Sequence, residues 1–227
     1  KYLSEILDDN KHVQIPDMAF MLESSRKKFS FVDDLRLKSD GLFGITVRNW
    51  KFPDLDNKQM AMENYINSVK DFMVKEFEKR KCAFVFIPQV TVSTGDDTII
   101  AEKIKDRLPK KYKKQFIIRR DDWSPSEIKS LIANMDYFVG TRMHSNIFAT
   151  SMAVPTTAIA YEKKTNGIME TVGLQNYVVE INDITAEDLY NKVEDMIVNK
   201  KKIKKQLSCN IKDIRKEILE KIEKVVK

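Results

Sequence analysis

Between residues 41 and 180, short apolar runs alternate with longer segments whose apolar residues recur at helical spacing. Short apolar runs bounded by polar residues are typical of strands buried on both faces. Strands that alternate with helices are joined by crossovers and lie parallel in one sheet. The pattern predicts an α/β fold, a doubly wound parallel sheet with helices on both faces. The predicted strands are residues 42–47, 83–87, 116–118, 136–139, 156–160 and 177–180.

The segments between these strands carry helix signals. Asp96 and Asp97 are predicted to cap a helix that runs to about Leu108. Ser124-Pro125-Ser126-Glu127 begins the next helix with a cap residue, a proline in the first turn and an acid. Further helices are predicted within residues 58–80, 144–152 and 164–172, and two basic helices are predicted to end the chain.

The first 39 residues do not follow this rhythm. The chain begins at Lys1, inside a helical pattern without an obvious cap, which suggests missing sequence upstream. We therefore expect residues 1–39 to be the end of a preceding N-terminal domain or a linker. Residues 40–227 are expected to form a Rossmann-like domain.

Composition excludes several classes of protein. The net charge of +6 comes largely from two lysine runs, residues 110–114 and 200–205, which we interpret as solvated surface. No nucleic-acid-binding motif accompanies them, so nucleic acid is not an expected partner. Attraction to an anionic membrane or polyanion remains an alternative. No apolar run approaches the roughly 20 residues that a transmembrane helix needs, and a cytoplasmic location is expected.

Metal, disulfide and nucleotide-loop chemistry is also not indicated. Two cysteines and two histidines, His12 and His144, are too few and too far apart for a disulfide framework or a metal site. Neither a GxGxxG loop nor a GK[ST] phosphate loop is present. Standard dinucleotide oxidoreductases and nucleoside triphosphatases are therefore disfavoured, and no cofactor is expected.

In a doubly wound sheet, ligands bind beyond the carboxyl ends of the strands, where the strand order reverses. With the common order 3-2-1-4-5-6, strands one and four meet at that reversal. Arg48 follows strand one, and Gly140, Arg142 and His144 follow strand four. Arginine binds phosphate and carboxylate with two parallel hydrogen bonds, and a helix beginning near His144 adds free N–H groups. An anion site is therefore predicted here.

Each residue also has a simpler explanation. Arg48 could pair with a surface acid, and a histidine in the first turn of a helix is often a cap or a hydrogen-bonded structural residue. Weaker candidates follow the other strands: Pro88 and Gln89, Arg119 and Arg120, and residues 161–164. Asp96 and Asp97 are expected to be helix caps rather than metal ligands.

The set of motifs resembles the polysaccharide pyruvyl transferase family. The residues that carry the resemblance are the segment 136–145, Val154-Pro155, Tyr161, Lys164, Gly167 and Gly173-Leu174, with Asp17, Phe20 and the segment 44–48 upstream. Family members resemble two-domain GT-B glycosyltransferases whose C-terminal domain holds the donor. The resemblance thus implies that residues 40–227 form the donor-binding domain and residues 1–39 the end of the acceptor-side domain.

The resemblance implies transfer of pyruvate from phosphoenolpyruvate to a sugar of a cell-surface polysaccharide or its precursor, as a ketal. It places His144, Arg48, Arg142 and Lys164 in the donor site, to which Gly140 and Met143 are also assigned. Because this reaction needs a group that donates and accepts a proton near neutral pH, His144 is predicted to be the catalytic acid/base. Met143 stands where leucine is commoner in the family, and Lys163 adjoins Lys164. A lipid-linked oligosaccharide acceptor, with contact at the inner face of the cell membrane, would suit the basic segment 200–205.

Two alternatives stay open at this point. The first is a GT-B glycosyltransferase that uses a nucleotide sugar, with Glu162 or Glu170 binding the ribose hydroxyls. The second is a non-catalytic domain that binds an anionic glycan or a partner enzyme.

Overall fold

The computed structural model describes residues 13–91 and 95–226. Six strands form one parallel sheet in the order β3-β2-β1-β4-β5-β6. Their bounds are β1 Gly41–Thr46, β2 Cys82–Phe86, β3 Phe116–Ile118, β4 Tyr137–Gly140, β5 Thr156–Ala160 and β6 Val178–Glu180. The predicted doubly wound fold and its strand order are confirmed, and each strand lies within one residue of its predicted position.

The strand order reverses between β1 and β4. Chain order runs outward from β1 to β3 on one side and from β4 to β6 on the other. The two central strands end together, because Thr46 is paired with Gly140. Whatever follows Thr46 and Gly140 must therefore emerge side by side at the carboxyl edge of the sheet.

Eight α-helices occur in the described part of the chain. Their bounds are α1 Ser30–Arg36, α2 Lys58–Lys79, α3 Asp97–Arg107, α4 Pro125–Ala133, α5 Met143–Ser151, α6 Lys163–Thr171, α7 Ala186–Val198 and α8 Lys200–Val226. One core lies between the sheet and helices that include α2, α3 and α7, and the other between the sheet and α1, α4 and α5. Alternate residues of the central strands fill the two cores, as in a sheet covered on both sides.

Aromatic rings make up much of the first core. Phe43 of β1 stacks on Phe84 of β2 with ring centroids 4.7 Å apart, and Phe72 and Phe77 of α2 meet Phe84 edge-on. Fully burying one such side chain contributes about 1.5–3 kcal/mol. This packing fixes α2 against the sheet and so fixes Tyr65, which lies on the same helix and is fully buried.

Residues 13–39 pack directly on the domain. A 3-10 helix, Met18–Met21, inserts the fully buried Phe20 into the first core. Arg215 of α8 donates to the Phe20 carbonyl at 3.0 Å, and Lys129 of α4 donates to the Leu22 carbonyl at 2.7 Å. Burial, and then the charge of Arg215, lower the pKa of Lys129 to about 8. The boundary at residue 39 and the origin of this segment in a preceding domain stay predictions, and residues 1–12 lie outside the described part.

The last two helices differ in charge. The prediction of two basic helices is wrong for α7, which carries four acidic residues and only Lys192 as a base. Helix α8 is basic and begins with five lysines among its first six residues. Within the described residues, no helix is both long and apolar enough to cross a membrane.

Candidate functional site

A cavity of 430 Å³ opens at the carboxyl edge, beside the ends of β1 and β4. The basic side chains in its walls are Arg48, Lys51 and Arg142, and the apolar ones are Trp50, Pro53 and Val90. No carboxylate lines its described part. Because Arg48 and Lys51 line this concave surface with no carboxylate in its described lining, the cavity favours an anionic ligand.

Arg48 lies against two aromatic rings that also contact each other, with the ring centroids of Trp50 and Tyr161 4.8 Å apart. Its guanidinium carbon is 3.9 Å from the ring centre of Tyr161, which follows β5, and 4.7 Å from that of Trp50. Stacking uses the flat faces of a guanidinium and leaves its in-plane N–H groups available. Among the described residues no carboxylate pairs with Arg48, so the surface ion pair considered from the sequence is not found. Arg48 is held in place by packing.

The wall that carries Trp50, Lys51 and Pro53 is anchored by a strained residue. Phe52 has a backbone φ of 46°, in the left-handed region that bulky residues rarely adopt. Its side chain is 1% exposed and packs in the first core. Burial of the Phe52 ring offsets the free-energy cost of this backbone conformation, and its neighbours Lys51 and Pro53 line the cavity.

Arg142 is not a free cation. Its Nε and Nη2 donate to both carboxylate oxygens of Asp97, at 2.9 Å and 2.5 Å. The Asp97 side chain is 1% exposed and that of Arg142 17% exposed. Burial raises the pKa of Asp97, and the hydrogen bonds and charge of Arg142 oppose that rise. The pair ties the loop after β4 to the start of α3, and Nη1 of Arg142 has no partner among the described residues.

A buried hydroxyl network holds the loop after β4. Thr46 Oγ1 accepts the N–H groups of Thr141 and Arg142, at 3.0 Å and 3.3 Å, and lies 3.1 Å from Ser145 Oγ. Tyr65 Oη is 2.9 Å from Thr141 Oγ1 and accepts the N–H of Arg48 at 3.3 Å. Burial raises the pKa of Tyr65 well above its usual value, so it acts only as a neutral hydroxyl. The network joins the ends of β1 and β4 into one rigid unit.

Helix α5 begins in this loop without a side-chain cap. The first helical bond runs from Asn146 N–H to the Arg142 carbonyl at 3.1 Å, so the N–H groups of residues 143–145 have no helical acceptor. Such a helix end attracts anions. The side chain of Met143 packs against the first core, so its backbone N–H, rather than its side chain, is available to a ligand at this helix end.

Gly140 is required by close packing behind the loop. A Cβ there would lie 1.9 Å from Asn146 Oδ1 and 2.6 Å from Phe138 Cε1. Asn146 is fully buried and donates from Nδ2 to the Gly140 carbonyl at 3.1 Å. Only glycine lets the end of β4 and the first turns of α5 approach this closely.

Gly140→Ala is therefore expected to destabilise the protein by about 3 kcal/mol, through overpacking and loss of the Asn146 hydrogen bond. Urea denaturation measures the change. Gly167→Ala in α6 is the matched control, because a Cβ there meets nothing within 4 Å and alanine favours a helix. Equal midpoints for the two variants would contradict the assignment.

His144 lies in the first turn of α5 but does not line the cavity. Its side chain is 60% exposed, and its Nε2 lies 4.0 Å from Asp17 Oδ2. Lys164 follows β5 at the same edge, in the first turn of α6, and is exposed. The structure thus brings Arg48 and Arg142 into one cavity and places His144 and Lys164 outside its described lining.

Three residues contact the predicted site residues but were not predicted to be their partners. Asp96 caps α3, as expected, by accepting from Thr98 N–H at 2.8 Å, but Asp97 is the partner of Arg142 and not a cap. Tyr65 was not singled out, and Asp17 only through the family resemblance. No local signal marks these residues, since each contacts a residue far along the chain.

The fold is that of one Rossmann-like domain, and it is similar to domains of GT-B glycosyltransferases. The domain superposes on an α,α-trehalose 6-phosphate synthase from Burkholderia multivorans with a TM-score of 0.57 and 9% identity, over 92% of this chain and 47% of that one. It superposes on Os79 from O. sativa with a TM-score of 0.54 and 12% identity, over 87% and 42% of the two chains. At such identities the likeness shows the fold alone.

The sequence identifies the family of the chain. The family model for polysaccharide pyruvyl transferase matches residues 4–163, and the chain belongs to this family. It is also 27% identical over 120 residues to the amylovoran biosynthesis protein AmsJ of Erwinia amylovora, a match that covers 53% of this chain and 28% of AmsJ. The family match includes Arg48, Gly140, Arg142, Met143 and His144 and ends just before Lys164, and the roles of all six residues stay predictions.

Proposed function

We propose that this chain is the donor-binding part of a pyruvyl transferase that moves pyruvate from phosphoenolpyruvate to a sugar of a cell-surface polysaccharide or its precursor. The observation that carries the proposal is the cavity in which Arg48 and Arg142 meet at the reversal of strand order, with no carboxylate in its described lining. Membership of the family supports the reaction type.

Phosphoenolpyruvate has two anionic groups, and we assign a separate donor to each. The stacked Arg48 presents in-plane N–H groups, which suit bidentate binding of a carboxylate or phosphate. Nη1 of Arg142 is the second donor in the cavity, and the free N–H groups at the start of α5 follow Arg142 directly in the chain. Since Asp97 neutralises much of the charge of Arg142, Arg48 supplies the larger share of the attraction.

The reaction needs one proton transfer to carbon. A proton adds to the methylene carbon of phosphoenolpyruvate, which makes the adjacent carbon electrophilic, and a sugar hydroxyl bonds to that carbon. The carbon–oxygen bond to phosphate then breaks, and a second hydroxyl closes the ketal. The two sugar hydroxyls each lose a proton. One of these protons returns to the group that protonated the carbon, and the other leaves with the phosphate. We assign the transfer to His144, since histidine can donate and accept near neutral pH.

Calorimetric titration of the chain with phosphoenolpyruvate tests the donor site. We expect saturable heat, and Arg48→Ala should weaken binding by about 10-fold to 100-fold, since hydrogen bonds to charged groups contribute about 1.5–3 kcal/mol. Trp50 gives a second readout, because it lines the cavity and the chain contains only two tryptophans. In a Trp123→Phe background, the donor should change the fluorescence of Trp50.

Arg36→Ala is the matched control for charge. Arg36 lies in α1 and pairs with Asp136, which precedes β4 at the opposite edge of the sheet, so its loss should leave binding unchanged. Heat with a nucleotide sugar and none with phosphoenolpyruvate would instead favour the glycosyltransferase alternative. Equal loss of binding in both arginine variants would show that the cavity does not select the anion.

A further inference from the structure

Asp17 brings a carboxylate from the N-terminal segment to the candidate site. Its Oδ1 accepts from Ala19 N–H at 2.8 Å, which caps the short 3-10 helix Met18–Met21. Its Oδ2 is turned towards His144 and lies 4.0 Å from Nε2. One oxygen thus holds the carboxylate in place while the other faces the imidazole.

The segment that carries Asp17 is itself fixed. Phe20 is fully buried, and its carbonyl accepts from Arg215 Nε at 3.0 Å. The 3-10 helix packs against α5, which carries His144 in its first turn, and against α8. The carboxylate therefore has a defined place relative to the histidine and does not depend on a mobile surface side chain.

We propose that Asp17 is a positioning residue for His144, and this inference rests on the proposed function. A carboxylate beside one ring nitrogen fixes the orientation of the imidazole and the nitrogen that carries its proton. With Nε2 directed at Asp17, Nδ1 is the nitrogen that exchanges a proton with the substrate. The separation of 4.0 Å is too long for a hydrogen bond, and such contacts shorten when the substrate complex forms.

The proposed role of Asp17 makes the N-terminal segment part of the catalytic site. From sequence, residues 1–39 belong to a preceding domain or a linker. If Asp17 orients His144, the described part of this segment completes the catalytic edge of the Rossmann-like domain.

Asp17→Asn separates the two roles of the side chain. An asparagine oxygen can still accept from Ala19 N–H, so the cap is retained, while the carboxylate that faces His144 is lost. In the full-length protein, we expect kcat for pyruvyl transfer to fall by about 10-fold to 100-fold. KM for phosphoenolpyruvate should stay within about twofold, because Asp17 does not line the donor cavity. Asp17→Glu should recover part of the lost rate.

A double variant tests whether Asp17 acts through His144. In a His144→Ala background, Asp17→Asn should produce no further loss, since the residue that it positions is already absent. An unchanged kcat in Asp17→Asn, or the same loss with and without His144, overturns the inference while the wild type still transfers pyruvate. A wild type that neither binds nor consumes phosphoenolpyruvate overturns the proposed function itself. Urea midpoints of the variants show whether any loss comes from unfolding.

Discussion

His144→Ala in the full-length protein is expected to lower the turnover of pyruvyl transfer by about 100-fold to 10,000-fold, the usual contribution of general acid–base catalysis. The side chain is 60% exposed and packs into neither core, so the fold should be retained. Phosphoenolpyruvate should still bind, because His144 does not line the cavity that holds Arg48 and Arg142. Steady-state kinetics and calorimetry on the same preparation separate the two effects.

A matched control is available on the same helix. Met143→Leu changes the neighbouring residue to one of similar volume, and it should alter turnover little. Turnover of His144→Ala close to that of the wild type would remove the histidine from the mechanism. A loss of donor binding as large as the loss of turnover would instead make His144 a binding residue.

Arg142→Ala should destabilise the protein by about 3 kcal/mol, the lower end of what removing one partner of a buried ion pair costs. Asp97 would be left with 1% of its side chain exposed and without its two hydrogen bonds. The second substitution Asp97→Asn, made in the Arg142→Ala background, should restore part of the stability because no buried charge remains. Urea denaturation of the single and double variants measures both changes.

Arg107→Ala is the control for this pair. Arg107 lies on α3, as Asp97 does, but its partner Glu63 is 44% exposed, and exposed pairs contribute about 0–1 kcal/mol. Equal destabilisation by Arg142→Ala and Arg107→Ala would mean that the Asp97–Arg142 pair is not a structural element. Donor binding by the double variant then separates a lost contact between Arg142 and the donor from a lost fold.

Much of the fold follows from the sequence because its signals are local. The apolar runs, the Asp96 cap and the Ser124 capping box each depend on residues within one turn of the chain. Parallel strands with helical crossovers then leave few possible arrangements, and the reversal between β1 and β4 placed Arg48 next to the loop of Gly140 and Arg142.

The contacts between side chains inside the site could not be predicted from the sequence in this way. Asp97 and Arg142 are 45 residues apart, and Tyr65 and Thr141 are 76 apart. The order of the strands brings their elements together, but the choice of partner depends on packing of α2 and α3 that a single sequence does not reveal. For the same reason the sequence gave no sign that Asp97 pairs with Arg142, or that Trp50 and Tyr161 both pack against Arg48.

We propose that this edge of the sheet carries pyruvyl transfer from phosphoenolpyruvate. The most direct test of this proposal uses the full-length protein, phosphoenolpyruvate labelled with ¹³C at the carbon that becomes the ketal, and a panel of sugar and lipid-linked sugar acceptors. We expect a ¹³C ketal signal on the acceptor with one phosphate released per ketal, and the loss of both in His144→Ala. Transfer of a sugar from a nucleotide donor, with no ketal from phosphoenolpyruvate, would contradict the proposal.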